Sequence, residues 1–94
     1  MRAKLISKNV TINGRRTSLR LEQTSWEAMG DICKCEGLTL HDLCSLIENH
    51  RNGASRTSAV RAFIVTYYRN LAAEFGSLQK GTAAAILPEL ASRC

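Results

Sequence analysis

The sequence predicts a mainly α-helical protein that carries a short β-ribbon. Around Asn13-Gly14, polar and apolar residues alternate with period two, as in a half-buried strand pair. After Gln23, three stretches place apolar residues at helical spacing. The basic side chains crowd into the strand-like segment: residues 1–21 hold six basic residues and no acid, whereas residues 22–94 hold seven basic and eight acidic ones.

The ribbon comes first. Asn13-Gly14 suits a two-residue type I′ turn, in which both central residues need positive φ. With that loop Ile12 faces Arg15, Val10 faces Thr17 and Lys8 faces Leu19. Val10, Ile12, Thr17, Leu19 and Leu21 then share one face, and Asn9, Thr11, Arg16, Ser18 and Arg20 the other. One side is mostly apolar and the other polar and cationic. So short a chain is expected to leave the apolar side for a second subunit to help cover.

Three helices follow. The first is predicted from Thr24, where "TSWE" reads as a capping box between Thr24 and Glu27. Trp26, Met29, Gly30 and Cys33 fall on its apolar stripe, with Ile32 on the flank, and Gly37 supplies the stop. Gly30 costs about 1 kcal/mol of helix propensity and is expected to admit a close backbone. The second helix starts near Thr39, with "TLHD" as its cap. It carries Leu40, Leu43, Cys44 and Ile47 with Leu46 flanking, and ends near His50. The third starts near Thr57 or Ser58. Its stripe is Val60, Phe63, Ile64, Tyr67 and Leu71, widened by Tyr68 and Phe75, and it stops at Gly76. In "TAAAILPELASRC" the alanines favour helix but Pro88 limits it to a turn or two.

Composition narrows the class. At 94 residues, 45% hydrophobic but only 5% aromatic, the chain is one domain with a thin core, so a partner subunit is expected. The net charge is +5. Its confinement to one end points to a polyanion, nucleic acid or anionic membrane, with a merely solvated N-terminus as the plain alternative. No apolar run approaches the ~20 residues of a membrane span, and none near the N-terminus suits a signal peptide. A cytoplasmic chain is expected, with Cys33, Cys35, Cys44 and Cys94 as reduced thiols.

The order strand, helix, glycine turn, helix, with basic residues alternating along the strand, resembles the ribbon-helix-helix DNA-binding family, the Arc and MetJ class of bacterial repressors. The matching segment runs from Arg15 to about His50. "RRTSLRLE", Trp26 and the glycine–threonine turn, followed by "SRTSAVRAFIVTYYRNL", resemble its short bacterial members with an extra C-terminal helix. "SRTSAVRAF" also resembles the opening of the family's second helix, but the stretch 39–50 fits the loop length and the repeated stripe better. The resemblance implies an intertwined homodimer with antiparallel intersubunit strands, plus a third helix, and leaves higher oligomers open. It implies three segments: 1–14 as a basic arm or hairpin strand, 15–75 as the ribbon-helix-helix domain with the third helix, and 76–94 as a short tail.

The resemblance also implies double-stranded DNA as partner and a transcriptional regulator, a repressor acting by occlusion. Base contacts would fall on Arg16, Ser18 and Arg20. Phosphate contacts would fall on Thr39 and Leu40 at the second helix's N-terminus and on Lys8 and Arg15 at the flanks. The alternative is a protein-interaction module on the same fold, such as an antitoxin or adaptor. The pairing of residues 9–12 with 15–18 bears on both. A dimer of hairpins has four strands ~4.8 Å apart, more than a major groove about 12 Å wide comfortably holds.

Other chemistry is not expected. Cys33, Cys35, His41, Cys44 and His50 are the available metal ligands. Cys33 and Cys35 lie ~200° apart on a helix, and structural zinc spacings are absent. Cys33 and Cys44 read as core thiols and Cys35 as exposed. Trp26 reads as core rather than as a base-stacking platform. No nucleophile–base pair or glycine-rich phosphate loop is evident, so no enzyme, cofactor, metal or small-molecule substrate is expected.

Overall fold

The computed structural model describes residues 4–76, 78, 81–87 and 89. Arg2, Pro88 and Cys94 lie outside them. Two strands lead: β1 (Leu5–Ile12) and β2 (Arg15–Glu22). Then come α1 (Gln23–Glu36), α2 (Leu40–Asn49), α3 (Arg56–Phe75) and a five-residue α4 (Thr82–Ile86).

Residues 5–12 form a hairpin strand rather than a free arm. Asn13 and Gly14 hold φ of 51° and 79°, the double positive φ of a type I′ turn. The expected register follows, with Ile12 opposite Arg15, Val10 opposite Thr17 and Lys8 opposite Leu19. Val10, Ile12, Leu19 and Leu21 are buried, while Asn9, Thr11, Arg16, Ser18 and Arg20 are exposed.

The chain's own helices cover that apolar face, contrary to the expectation that a second subunit is needed. Trp26, Met29, Ile32 and Cys33 come from α1, Leu43, Cys44 and Ile47 from α2, and Val60 from α3, all in one core with the hairpin. The extra strand and the third helix account for the difference. β1 doubles the sheet, and α3 brings a third wall beneath it.

Helix α1 corrects two further expectations. It begins at Gln23, directly off the strand, with Glu22 as an extended N-cap that makes no side-chain cap bond. The Thr24–Glu27 capping box is absent because Glu27 instead accepts from Gln23 Nε2 at 3.1 Å. Gly30 is exposed and a Cβ there would meet nothing within 4 Å. The stripe centres between Met29 and Ile32, which turns Gly30 off its edge. Gly37 ends the helix at φ 70°, as expected.

The cap of α2 is as predicted. Thr39 Oγ1 accepts from the Asp42 N–H at 3.1 Å, and Asp42 accepts from the Thr39 N–H at 3.5 Å. Helix α3 starts at Arg56, slightly early, because the Ser55 hydroxyl caps the Ser58 N–H at 3.1 Å. Along α3 the expected stripe leaves the body. Val60 is buried, Phe63, Ile64 and Tyr67 are half-buried, and Leu71 and Phe75 are 38% and 78% exposed.

The two hairpin faces should respond oppositely to truncation. Leu21, with 0% exposure, should lose about 2–5 kcal/mol as Leu21→Ala in urea unfolding. Exposed Ser18→Ala should stay within about 0.5 kcal/mol.

Candidate nucleic-acid interface

The hairpin's outer face is a polar surface built on a fixed backbone. From β2 it presents Arg16, Ser18 and Arg20, and from β1 Ser7, Asn9 and Thr11, by the register Ser7–Arg20, Asn9–Ser18 and Thr11–Arg16. Period two brings the three predicted base-contacting residues together there. The Ser7 and Ser18 hydroxyls bond across the strands at 2.8 Å.

Charge is sorted between this face and the helices. Glu48 accepts from Arg51 Nη2 at 2.9 Å and from Arg56 Nε at 2.9 Å. Glu22, at the end of β2, accepts from Arg61 Nη2 at 3.0 Å. Arg51 in the α2–α3 connection and Arg56 and Arg61 on α3 are thus matched to acids, whereas Arg69 further along α3 is not, among the described residues. Among the described residues Arg15, Arg16 and Arg20 have no acidic partner.

The acids reflect this. The Arg61 guanidinium hydrogen-bonded to Glu22 holds its carboxyl below the ordinary carboxylate range. Burial pushes Glu48 upward, but its hydrogen bonds to Arg51 and Arg56 outweigh that and leave it lowered.

The other predicted contacts are dispersed. Thr39 and Leu40 sit at the start of α2, where the capping box already engages the Thr39 hydroxyl. Arg15 is exposed at the turn. Lys8 faces the helices, with Nζ 5.2 Å from the centroid of the Trp26 ring. Trp26 is a core residue whose Nε1 donates to the Ile6 carbonyl at 2.9 Å. Cys33 and Cys44 are buried and Cys35 is exposed. Burial pushes the Cys44 thiol up to about 11 and raises that of Cys33 as well.

Sequence reasoning missed how α2 grips the ribbon. The Thr11 N–H donates to His41 Nδ1 at 2.9 Å. The Asn13 N–H donates to Ser45 Oγ at 2.9 Å, and Asn13 Nδ2 to Asn49 Oδ1 at 3.2 Å. These bonds join residues 30 to 36 positions apart, so no local pattern announces them. They tie the outer face to the helix whose N-terminus was expected to meet phosphate. His41 serves here as an acceptor through Nδ1.

An apolar concavity lies away from this face. An open groove of about 730 Å³ runs between α1, α2 and α3, lined by Leu43, Leu46, Ile47, Ala59, Phe63 and Tyr67 among others, and no strand residue lines it. At one end the Tyr67 hydroxyl donates to Glu36 at 2.7 Å, a bond that raises the tyrosine's pKa.

A family model described as "Ribbon-helix-helix domain" matches residues 5–68, which takes in both strands, α1, α2 and most of α3. No curated protein and no solved structure matches the chain.

Because the folded Glu22 carboxyl is lowered, its contribution is present above the ordinary carboxylate range and lost as pH falls through the folded value. Arg61→Ala removes the main cause. Urea unfolding should therefore show the wild type's advantage over this variant at neutral pH, shrinking as pH drops below the carboxylate range.

Proposed function

The chain belongs to the ribbon-helix-helix domain family, and from that membership we propose that it is a sequence-specific double-stranded DNA-binding transcriptional regulator, a repressor that works by occluding a promoter. It acts as a homodimer and inserts its β-ribbon into the major groove. Binding is its activity, with no catalysis and no cofactor. One observation carries this: Arg16 and Arg20 stand without acidic partners on an open polar face, while Arg51, Arg56 and Arg61 are matched to acids.

The chemistry of that face suits base edges. Arginine bonds bidentately to guanine O6 and N7, asparagine to adenine N6 and N7, and serine to either with less discrimination. Arg16 and Arg20 are the guanine readers and Ser18 a secondary contact. Backbone N–H groups at Thr39 and Leu40 meet phosphate with the positive end of the α2 dipole. Arg15 adds a flank contact. Lys8 does so by leaving the Trp26 ring.

Width favours the β2 strands at the centre of the dimer. A central pair of β2 strands carries all three β2 readers from each copy, and two strands fit a groove about 12 Å wide. The sheet's twist of about 20–25° per strand lifts the β1 strands off the groove floor toward the phosphates.

A protein-interaction role, as antitoxin or adaptor, draws support from the 730 Å³ apolar groove. No strand residue lines it, so a partner there leaves the ribbon face open.

In a gel-shift titration on a site selected from random DNA, Arg20→Ala should weaken binding by about 1–3 kcal/mol. Wild-type affinity should fall steeply with salt. Unchanged affinity of the variant contradicts the assignment of Arg20.

A further inference from the structure

We propose that His41 and Ser45 seal one edge of the ribbon, so that copies of this chain join through β2 alone and assembly stops at a closed pair. The proposal rests on the homodimer described above and adds what limits it.

An antiparallel hairpin has two outer edges, each with N–H and C=O groups unpaired within the hairpin. The two-residue turn makes Ile12 and Arg15 a hydrogen-bonded pair, and pairs alternate from there. On β2 the outward groups therefore belong to Arg16, Ser18, Arg20 and Glu22, and on β1 to Leu5, Ser7, Asn9 and Thr11. Among the described residues nothing accepts from the outward N–H of Arg16, Ser18 or Arg20. On the other edge α2 lies against β1, and the Thr11 and Asn13 N–H groups end on His41 Nδ1 and Ser45 Oγ, both at 2.9 Å.

A strand laid along β1 would run into α2 at Thr11 and keep only the stretch from Leu5 to Asn9, away from the turn. A strand laid along β2 meets three consecutive open positions. A second copy fits there because β2 paired antiparallel with itself is an isologous, two-fold contact that closes. Two open edges would instead let β1 of one copy join β2 of the next without end. His41 and Ser45 are positioning residues in this scheme. His41 must present an unprotonated Nδ1 and Ser45 a lone pair.

Light scattering on the purified full chain tests this, with amide exchange as a second readout. Wild type should have the mass of two copies. Ser18→Pro removes an outward N–H from β2 and should give the mass of one copy. If it stays at two, pairing through β2 is wrong, and the sealing is then judged by the other arms. His41→Ala with Ser45→Ala should give species above two copies that grow with concentration. Adding Asn9→Pro, which removes an outward N–H from β1, should return the mass to two. A double variant that folds and stays at two copies overturns the sealing. Independently of how that variant folds, the Thr11 and Asn13 amides of the single-copy Ser18→Pro chain should exchange more slowly than that of Arg16. Equal exchange also overturns it.

Discussion

Asn13 and Gly14, at φ 51° and 79°, set the register of one hairpin, and most other features of the molecule hang on that register. Strand side chains alternate with period two, so a slip of one residue would exchange the faces entirely. Val10, Ile12, Leu19 and Leu21 would meet water, and Arg16 and Arg20 would meet Met29 and Ile32. Uncompensated arginines in an apolar core cost several kcal/mol each, far more than one turn contributes. The turn chemistry and the core therefore specify the same register. The result is a polar face whose spacing is fixed before any ligand arrives.

The helices use their cations in a different way. Glu48 gathers Arg51 and Arg56 across the α2–α3 connection, and Glu22 ties Arg61 on α3 to the end of β2. These pairs are partly exposed, so each contributes little stability, but they leave the helical body close to neutral. The positive field is thereby concentrated on the ribbon. Helix α2 belongs to both halves: its inner side packs Leu43, Cys44 and Ile47 into the core, while His41, Ser45 and Asn49 hold the strand and the turn.

Much of this was legible in the sequence because it is local. Asn13-Gly14 announces its turn, the alternation from Asn9 to Leu21 assigns faces, and Thr39 with Asp42 announces a cap. The first helix misled because Thr24 and Glu27 have capping-box spacing, yet the chain enters the helix straight from β2 and Glu27 pairs with Gln23 instead. Gly30 misled because a stripe about 100° wide is only coarsely located by a few residues. What lay beyond reach is long-range: that α3 lets a single chain bury its own hairpin, and that His41, thirty residues from Thr11, ends that strand's edge. Arg16, Ser18 and Arg20 could be placed on one face from spacing alone. Their lack of acidic neighbours could not, since Arg61 finds Glu22 across 39 positions.

Entry of the ribbon's polar face into the major groove is most directly tested by methylation interference on a bound DNA site. Dimethyl sulfate marks guanine N7 in the major groove and adenine N3 in the minor groove, so one experiment reports both sides of the duplex. Interference at guanine N7 positions, symmetric about the centre of the site and absent at adenine N3, is the predicted result. Interference confined to adenine N3, or none at guanine N7 on DNA the protein binds, would contradict it.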